Sequence, residues 1–268
     1  MIKALVNGKW DQIPADHLQV GSFSFAFEPG LFETFRTIDH KPVFLNLHLD
    51  RLYLSAQKID LDIQFSKFEI FEIVQTVVNS FSDSNQLLRI LAVPNNIIVY
   101  TVPLAIDETI YHGVKAITVN AKRSSPAIKS TKYRTCLSAW EKARELDCFE
   151  AILTDSMNDV FEGSRSNIFW VKDGKIFTRQ FDILPGITRE IIISKSLYPV
   201  SFGQLNVANL ESIDELFITN SVSGVVPISQ VNSSIIRNSK VGEITKKILN
   251  DYTKWILNGN ENENLILV

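Results

Sequence analysis

GLFETFRTIDHKPVFLNLHLDRLYLSA, residues 30–56, changes its hydrophobic period halfway along, and that change decides how the fold is read. The first half, through Asn46, has the pattern of a β-hairpin reversed by the segment from Asp39 to Pro42. From Leu47 the apolar residues Leu49, Leu52, Ala56 and Ile59 keep helical spacing, which gathers His48, Arg51 and Ser55 on another face of the same helix. A hairpin running into an amphipathic helix predicts an α+β unit.

Upstream, Met1 to Val6, the Asn7-Gly8 turn and the alternating positions through Phe23, Phe25 and Phe27 to Pro29-Gly30 read as extended segments broken by turns. Downstream, Lys67 to Phe81 reads as a second amphipathic helix with Phe68, Phe71, Val74, Val78 and Phe81 inward, and Leu87 to Val93 with Ile97 to Val102 as a hairpin around Pro94-Asn95-Asn96. The mixed stretch 106–113 is the expected linker, which gives an N-terminal α+β domain over 1–110 and a second domain over 111–268. There the pattern predicts a strand near 114–119, the polar loop AKRSSPAIKS (121–130) and a helix near 133–146. Strands follow near 150–154, 160–162 and 167–171, then a helix from Thr188 to Leu197, a strand over 215–219 and a C-terminal helix over 241–257. No internal repeat is present.

Composition narrows the class. With 268 residues, 45% of them hydrophobic, and a formal net charge of -3, the chain can bury a large core and has no cationic excess for gripping nucleic acid. Cys136 and Cys148 form no C-x-x-C pair and no histidine stands at ligand spacing, so neither a disulfide framework nor a metal site is expected. No leader pattern opens the chain and no run approaches the ~18 apolar residues of a membrane helix, so a soluble, cytoplasmic protein is expected.

There is no GxGxxG, Walker loop, HExxH or GxSxG, and His17, His40, His48 and His112 read as surface or structural residues. Three features stand out. Lys129, close to Pro126 and Ile128, could be partly desolvated and so nucleophilic, although most loop lysines are simply solvated. Glu162 ends a β-rich run just before Gly163-Ser164-Arg165-Ser166-Asn167, where a carboxylate is ordinarily a turn residue. Pro185-Gly186-Ile187-Thr188-Arg189 opens a helix whose first N–H groups can hold phosphate or be capped in the ordinary way.

Five stretches taken in order, residues 30–56, AIKS (127–130), EAILTDSMNDVFEGSRSNIFW (150–170), ILPGITRE (183–190) and ELFITNSVSGVVPI (215–228), resemble the successive signatures of class IV, or fold type IV, pyridoxal-phosphate enzymes. The family holds branched-chain aminotransferases, D-amino-acid aminotransferases and 4-amino-4-deoxychorismate lyase. The resemblance covers nearly the whole chain. It implies a two-domain fold, an N-terminal α+β domain and a C-terminal barrel-like α/β domain, with pyridoxal 5'-phosphate as cofactor in a homodimer. Arg51 matches the phosphate-binding arginine, a fork that can hold two oxygens at once. Lys129 matches the Schiff-base lysine, with Lys132 as its competitor. Glu162 matches the acid that keeps the pyridine nitrogen protonated. Ile187 and Thr188 match the phosphate cup, Ser221 and Val222 the second phosphate-contacting turn, and Asn167 a supporting residue. Tyr133 falls one residue short of a tyrosine that binds the cofactor's phenolic oxygen in branched-chain enzymes.

Substrate groups must choose the reaction. The Arg-x-His-type carboxylate trap of D-amino-acid enzymes is replaced by Val93-Pro94-Asn95-Asn96, and KSTKYRT lacks the Gly-rich stretch of branched-chain enzymes. The compact length, the GLFETFR opening and TNSVSGVVPI look most like aminodeoxychorismate lyases, which release pyruvate and leave 4-aminobenzoate. The alternative is a class IV aminotransferase acting on branched-chain or D-amino acids with 2-oxoglutarate.

Overall fold

The computed structural model describes residues 1–27 and 29–258. Contacts divide the chain into two compact units. One comprises residues 1–105, 128–134 and, among the described residues, 256–258 at the end of the last helix; the other comprises residues 106–127 and 135–255.

The first unit carries β1 (Ile2–Val6), β2 (Lys9–Ile13), β3 (Leu31–Ile38), β4 (Lys41–Pro42), α1 (Leu45–Lys58), α2 (Lys67–Asn79), β5 (Gln86–Val93) and β6 (Asn96–Pro103). Its six strands form one antiparallel sheet in the order β2-β1-β6-β5-β3-β4. Two hairpins close through pairs of residues with positive φ, Asn7 at 50° with Gly8 at 78°, and Asp39 at 48° with His40 at 60°. That geometry matches the right-handed twist of the flanking strands. Helix α2 starts from a capping box in which Ser66 and Glu69 satisfy each other's backbone N–H groups. Along β3 the side chains alternate. Leu31, Phe35, Leu49, Leu52, Val74 and Ile90 build the core under the helices, whereas Phe32 joins Leu18, Val20, Leu91 and Ile98 on the other face.

The alternation of Phe23, Phe25 and Phe27 does not become a strand. Residues 19–27 bond as successive local turns, Ser22 N to Gln19 O, Phe25 N to Ser22 O and Ala26 N to His17 O, and Phe23 is left 90% exposed. These bonds fold the segment back on residues 17–22, and it pairs with no strand among the described residues.

The second unit carries β7 (Val114–Asn120), α3 (Arg134–Glu145), β8 (Glu150–Thr154), β9 (Asp159–Gly163), β10 (Asn167–Lys172), β11 (Lys175–Thr178) and α4 (Ile187–Lys195). It continues with β12 (Val200–Phe202), β13 (Leu205–Asn206), β14 (Glu215–Asn220), β15 (Gly224–Val231), β16 (Ser234–Ile235) and α5 (Glu243–Asn258). The sheet runs β12-β11-β10-β14-β15-β7-β8-β9-β13, with β16 paired to β15. Neighbours β15, β7 and β8 are parallel, as are β11 and β12. Ala116, Ile152, Ile168, Leu216, Ile218, Val226 and Ile228 fill its core. The stretch read as a linker holds a 3-10 turn, Glu108–His112, capped by the Asp107 carboxylate. Among the described residues no helix is long and apolar enough to cross a membrane, and no group of acidic, His or Cys side chains could hold a metal ion.

Candidate active site

In the first unit Lys129 is fixed by strand β3. Phe32 N donates to Lys129 O at 3.0 Å, Thr131 N donates to Gly30 O at 2.9 Å, and Leu31 with Ser130 forms an antiparallel bridge. The single bridge ties the segment to the start of β3, in line with residues 128–134 belonging to this unit. Gly30, just before β3, packs closely on β5, since a Cβ there would lie 2.6 Å from both Ala92 O and Val93 Cγ1. Lys129 is half-buried with Nζ 4.6 Å from the Phe32 ring centroid, whereas its competitor Lys132 is exposed. Arg89 of β5, which sequence reasoning passed over, stands 5.6 Å from the same ring centroid and donates to Thr34 Oγ1 at 3.1 Å.

Arg51 is buried in α1, and its partner is Glu33 of β3. Arg51 Nε donates to Glu33 Oε1 at 2.8 Å and Nη2 to Oε2 at 2.5 Å, a two-pronged grip. His48, one helical turn before Arg51, places Nδ1 2.6 Å from Glu33 Oε2 and stacks on Phe35 at 4.5 Å between ring centroids. Burial alone would raise the Glu33 carboxyl, but the Arg51 charge and the His48 bond pull it down to about 2. Burial pushes the His48 imidazole below its usual value against the pull of Glu33, and the charges of Arg51 and Lys129 push it further. The sequence pattern puts His48 and Arg51 on one helix face. Their common anchor, Glu33, hides inside an apolar strand, with no signal but a carboxylate among Leu31, Phe32 and Phe35.

In the second unit Glu162 ends β9 with its carboxylate buried. Arg123 Nη1 stands 3.1 Å from Oε1, and Leu184 N donates to Oε2 at 2.9 Å. Asn167 Nδ2 donates to the carbonyl of that same Leu184 at 2.8 Å. The turn joining Glu162 to Asn167 is built around Glu150. Its buried carboxylate accepts Ser166 Oγ–H at 2.8 Å, Arg165 N–H at 3.3 Å and the Ser164 hydroxyl. Gly163 packs so tightly against this carboxylate that a Cβ would sit 2.9 Å from Glu150 Oε2.

Leu184 leads into α4, whose N-cap is Gly186 and whose first turn has no side-chain cap. A Cβ on Gly186 would overlap Asn167 Oδ1. Ile187 and Thr188 open the helix and are buried, with Thr188 Oγ1 3.2 Å from Tyr252 Oη. Ser221 and Val222 lie half-buried between β14 and β15, where Asn220 Oδ1 accepts Val222 N–H at 2.9 Å and Ser223 N–H at 2.7 Å. Tyr252 of α5 also lies under Gly224, φ 72°, where a Cβ would come within 2.9 Å of its ring. One aromatic side chain therefore touches both the first turn of α4 and the start of β15.

Each unit holds donors that fit pyridoxal 5'-phosphate by kind: in the first, a half-buried amine for an aldehyde and a buried guanidinium for a phosphate; in the second, a buried carboxylate for a protonated ring nitrogen and a helix start without a side-chain cap, which also suits a phosphate. Two sheets, the larger one curled, with helices beside them, and this donor set define a fold type IV pyridoxal-phosphate enzyme. A family model described as Amino-transferase class IV matches residues 30–231, and the chain belongs to that family of enzymes, which use pyridoxal phosphate.

The chain is 31% identical to a Methanocaldococcus jannaschii protein named, provisionally, as a branched-chain-amino-acid aminotransferase, with 95% of this chain and 98% of that one covered. It is 30% identical to D-alanine aminotransferase of Listeria monocytogenes over 92% of this chain and 93% of that one. Among solved structures, a Thermotoga maritima protein, also provisionally a branched-chain amino acid aminotransferase, superposes with a TM-score of 0.83 at 29% identity, covering 98% of this chain and 99% of that one. These likenesses support the aminotransferase alternative better than the lyase reading of the sequence.

Proposed function

We propose that the protein is a pyridoxal-phosphate-dependent aminotransferase that carries the amino group of a branched-chain amino acid to a 2-oxo acid such as 2-oxoglutarate, acting as a cytoplasmic homodimer. The observation that carries the reading is the placement of Lys129. Two backbone hydrogen bonds, one of them to its own carbonyl, tie its segment to the start of β3, and its amine stands beside an aromatic ring that it shares with Arg89. Bound cofactor supplies an aldehyde for the Lys129 amine and a ring that draws electrons from the substrate's α-carbon.

The chain's residues do the rest. Lys129 would hold the cofactor through its amine, and the same amine is the group placed to move a proton at the substrate's α-carbon. Arg51, with the amides of Ile187 and Thr188 and the turn at Ser221 and Val222, holds the phosphate. Glu162 keeps a proton on the ring nitrogen, and Asn167 fixes the loop leading to the phosphate cup. Arg89 is the cation at hand for the substrate carboxylate.

The D-amino-acid reading draws support from the D-alanine aminotransferase likeness. Against it stands the turn between β5 and β6, Pro94-Asn95, which offers no cation. Amino donors tested one at a time with 2-oxoglutarate decide the matter. Transfer from L-leucine, L-isoleucine or L-valine is expected. Transfer from D-alanine alone would favour the second reading, and pyruvate released from aminodeoxychorismate without amino transfer would restore the lyase.

A further inference from the structure

A guanidinium buried in advance of its anion is costly, because an uncompensated charge taken out of water costs several kcal/mol. Arg51 avoids that cost through Glu33, which takes Arg51 Nε on one oxygen at 2.8 Å and Nη2 on the other at 2.5 Å. Such a grip removes the rotational freedom of a long side chain and fixes the direction in which the rest of the fork points. Glu33 is itself held by His48 Nδ1 at 2.6 Å.

A carboxylate oxygen only accepts, so His48 Nδ1 carries the hydrogen and a neutral imidazole keeps a bare lone pair on Nε2. That Nε2 is buried without a hydrogen-bond partner. A bare lone pair cannot donate to a phosphate, so the imidazole acts through Nδ1. The charged groups acting on it are Glu33 from β3, Arg51 from its own helix and Lys129 from the segment paired to β3.

We propose that Glu33 and His48 are positioning residues for the cofactor's phosphate: Glu33 aims the Arg51 guanidinium, and His48, through Nδ1 alone, aims Glu33. The proposal rests on the cofactor reading above and deepens it by assigning the residues that hold the phosphate-binding arginine.

The test measures binding of pyridoxamine 5'-phosphate and of pyridoxamine to the cofactor-free protein by calorimetry, which leaves catalysis out. The wild-type chain is expected to prefer the phosphorylated ligand strongly, and Glu33→Gln to lose that preference at least tenfold while its affinity for pyridoxamine stays within about threefold. His48→Asn keeps an N–H near the Nδ1 position, and His48→Gln keeps one near Nε2. His48→Asn should stay within about threefold of wild type, and His48→Gln should lose tenfold or more. These two carry the test if Glu33→Gln does not fold. An undiminished preference in Glu33→Gln, or His48→Gln binding as well as His48→Asn, would overturn the positioning roles while leaving the cofactor reading intact. No binding by the wild-type chain would overturn both.

Discussion

Glu162 accepts the backbone N–H of Leu184 at 2.9 Å, and in doing so joins the end of β9 to the loop that launches α4. The carboxylate proposed for the cofactor's ring nitrogen is therefore also a structural pin for the loop before α4, the proposed phosphate cup, and Arg123 holds its other oxygen. Glu162→Ala strips Arg123 of that partner and leaves the Leu184 amide without its acceptor. Breaking a buried pair this way costs about 3–5 kcal/mol. Thermal melting of the cofactor-free variant should show a clear loss of stability in addition to slowed catalysis. A variant as stable as wild type would refute the pinning role.

Gly186→Ala places a methyl group where Asn167 Oδ1 lies. The amide must swing away and release Leu184 O, which disorders the approach to the uncapped first turn of α4. Cofactor affinity is expected to fall tenfold or more, about 1.4 kcal/mol or greater. Dialysis followed by absorbance of retained cofactor measures it, and full retention would count against the α4 start as a phosphate cup.

Much of this was legible in the sequence because it is local. The Asn7-Gly8 and Asp39-His40 turns, the period change at α1 and the grouping of His48 with Arg51 follow from spacing within a few residues. What stayed hidden is non-local. Glu33 looks like an ordinary polar position of a strand until α1 folds over it, and Arg123 meets Glu162 across 39 residues. Nothing in AIKS shows that Lys129 pairs with β3, which it reaches across about 100 residues of chain. The alternation at Phe23, Phe25 and Phe27 misled because the segment bonds back on residues 17–22 and pairs with no strand among the described residues.

Arg89→Met keeps a long side chain near the Phe32 ring but removes the charge. If Arg89 meets the substrate carboxylate, KM for the amino donor should rise tenfold or more while cofactor affinity is unchanged. Steady-state kinetics with saturating 2-oxoglutarate separates the two. An unaltered KM would leave carboxylate binding to another group.

Glu33 also makes the first unit acid-sensitive. Its carboxyl is held at about 2 in the folded chain against an ordinary 4.5, so the stability it lends is complete above about pH 4.5 and is lost as pH falls toward 2. That contribution is on the order of 3 kcal/mol. Urea midpoints of the cofactor-free protein should fall across this window, and Glu33→Gln, less stable at neutral pH, should flatten the slope. Parallel pH profiles for the two proteins would contradict the depressed carboxyl.

The central assignment is the covalent link between Lys129 and the cofactor. Reduction of the cofactor-loaded protein with borohydride, followed by peptide fragmentation and mass spectrometry, locates the modified lysine directly. The account predicts a phosphopyridoxyl group on Lys129. The same group on exposed Lys132, or on no lysine at all, would contradict it.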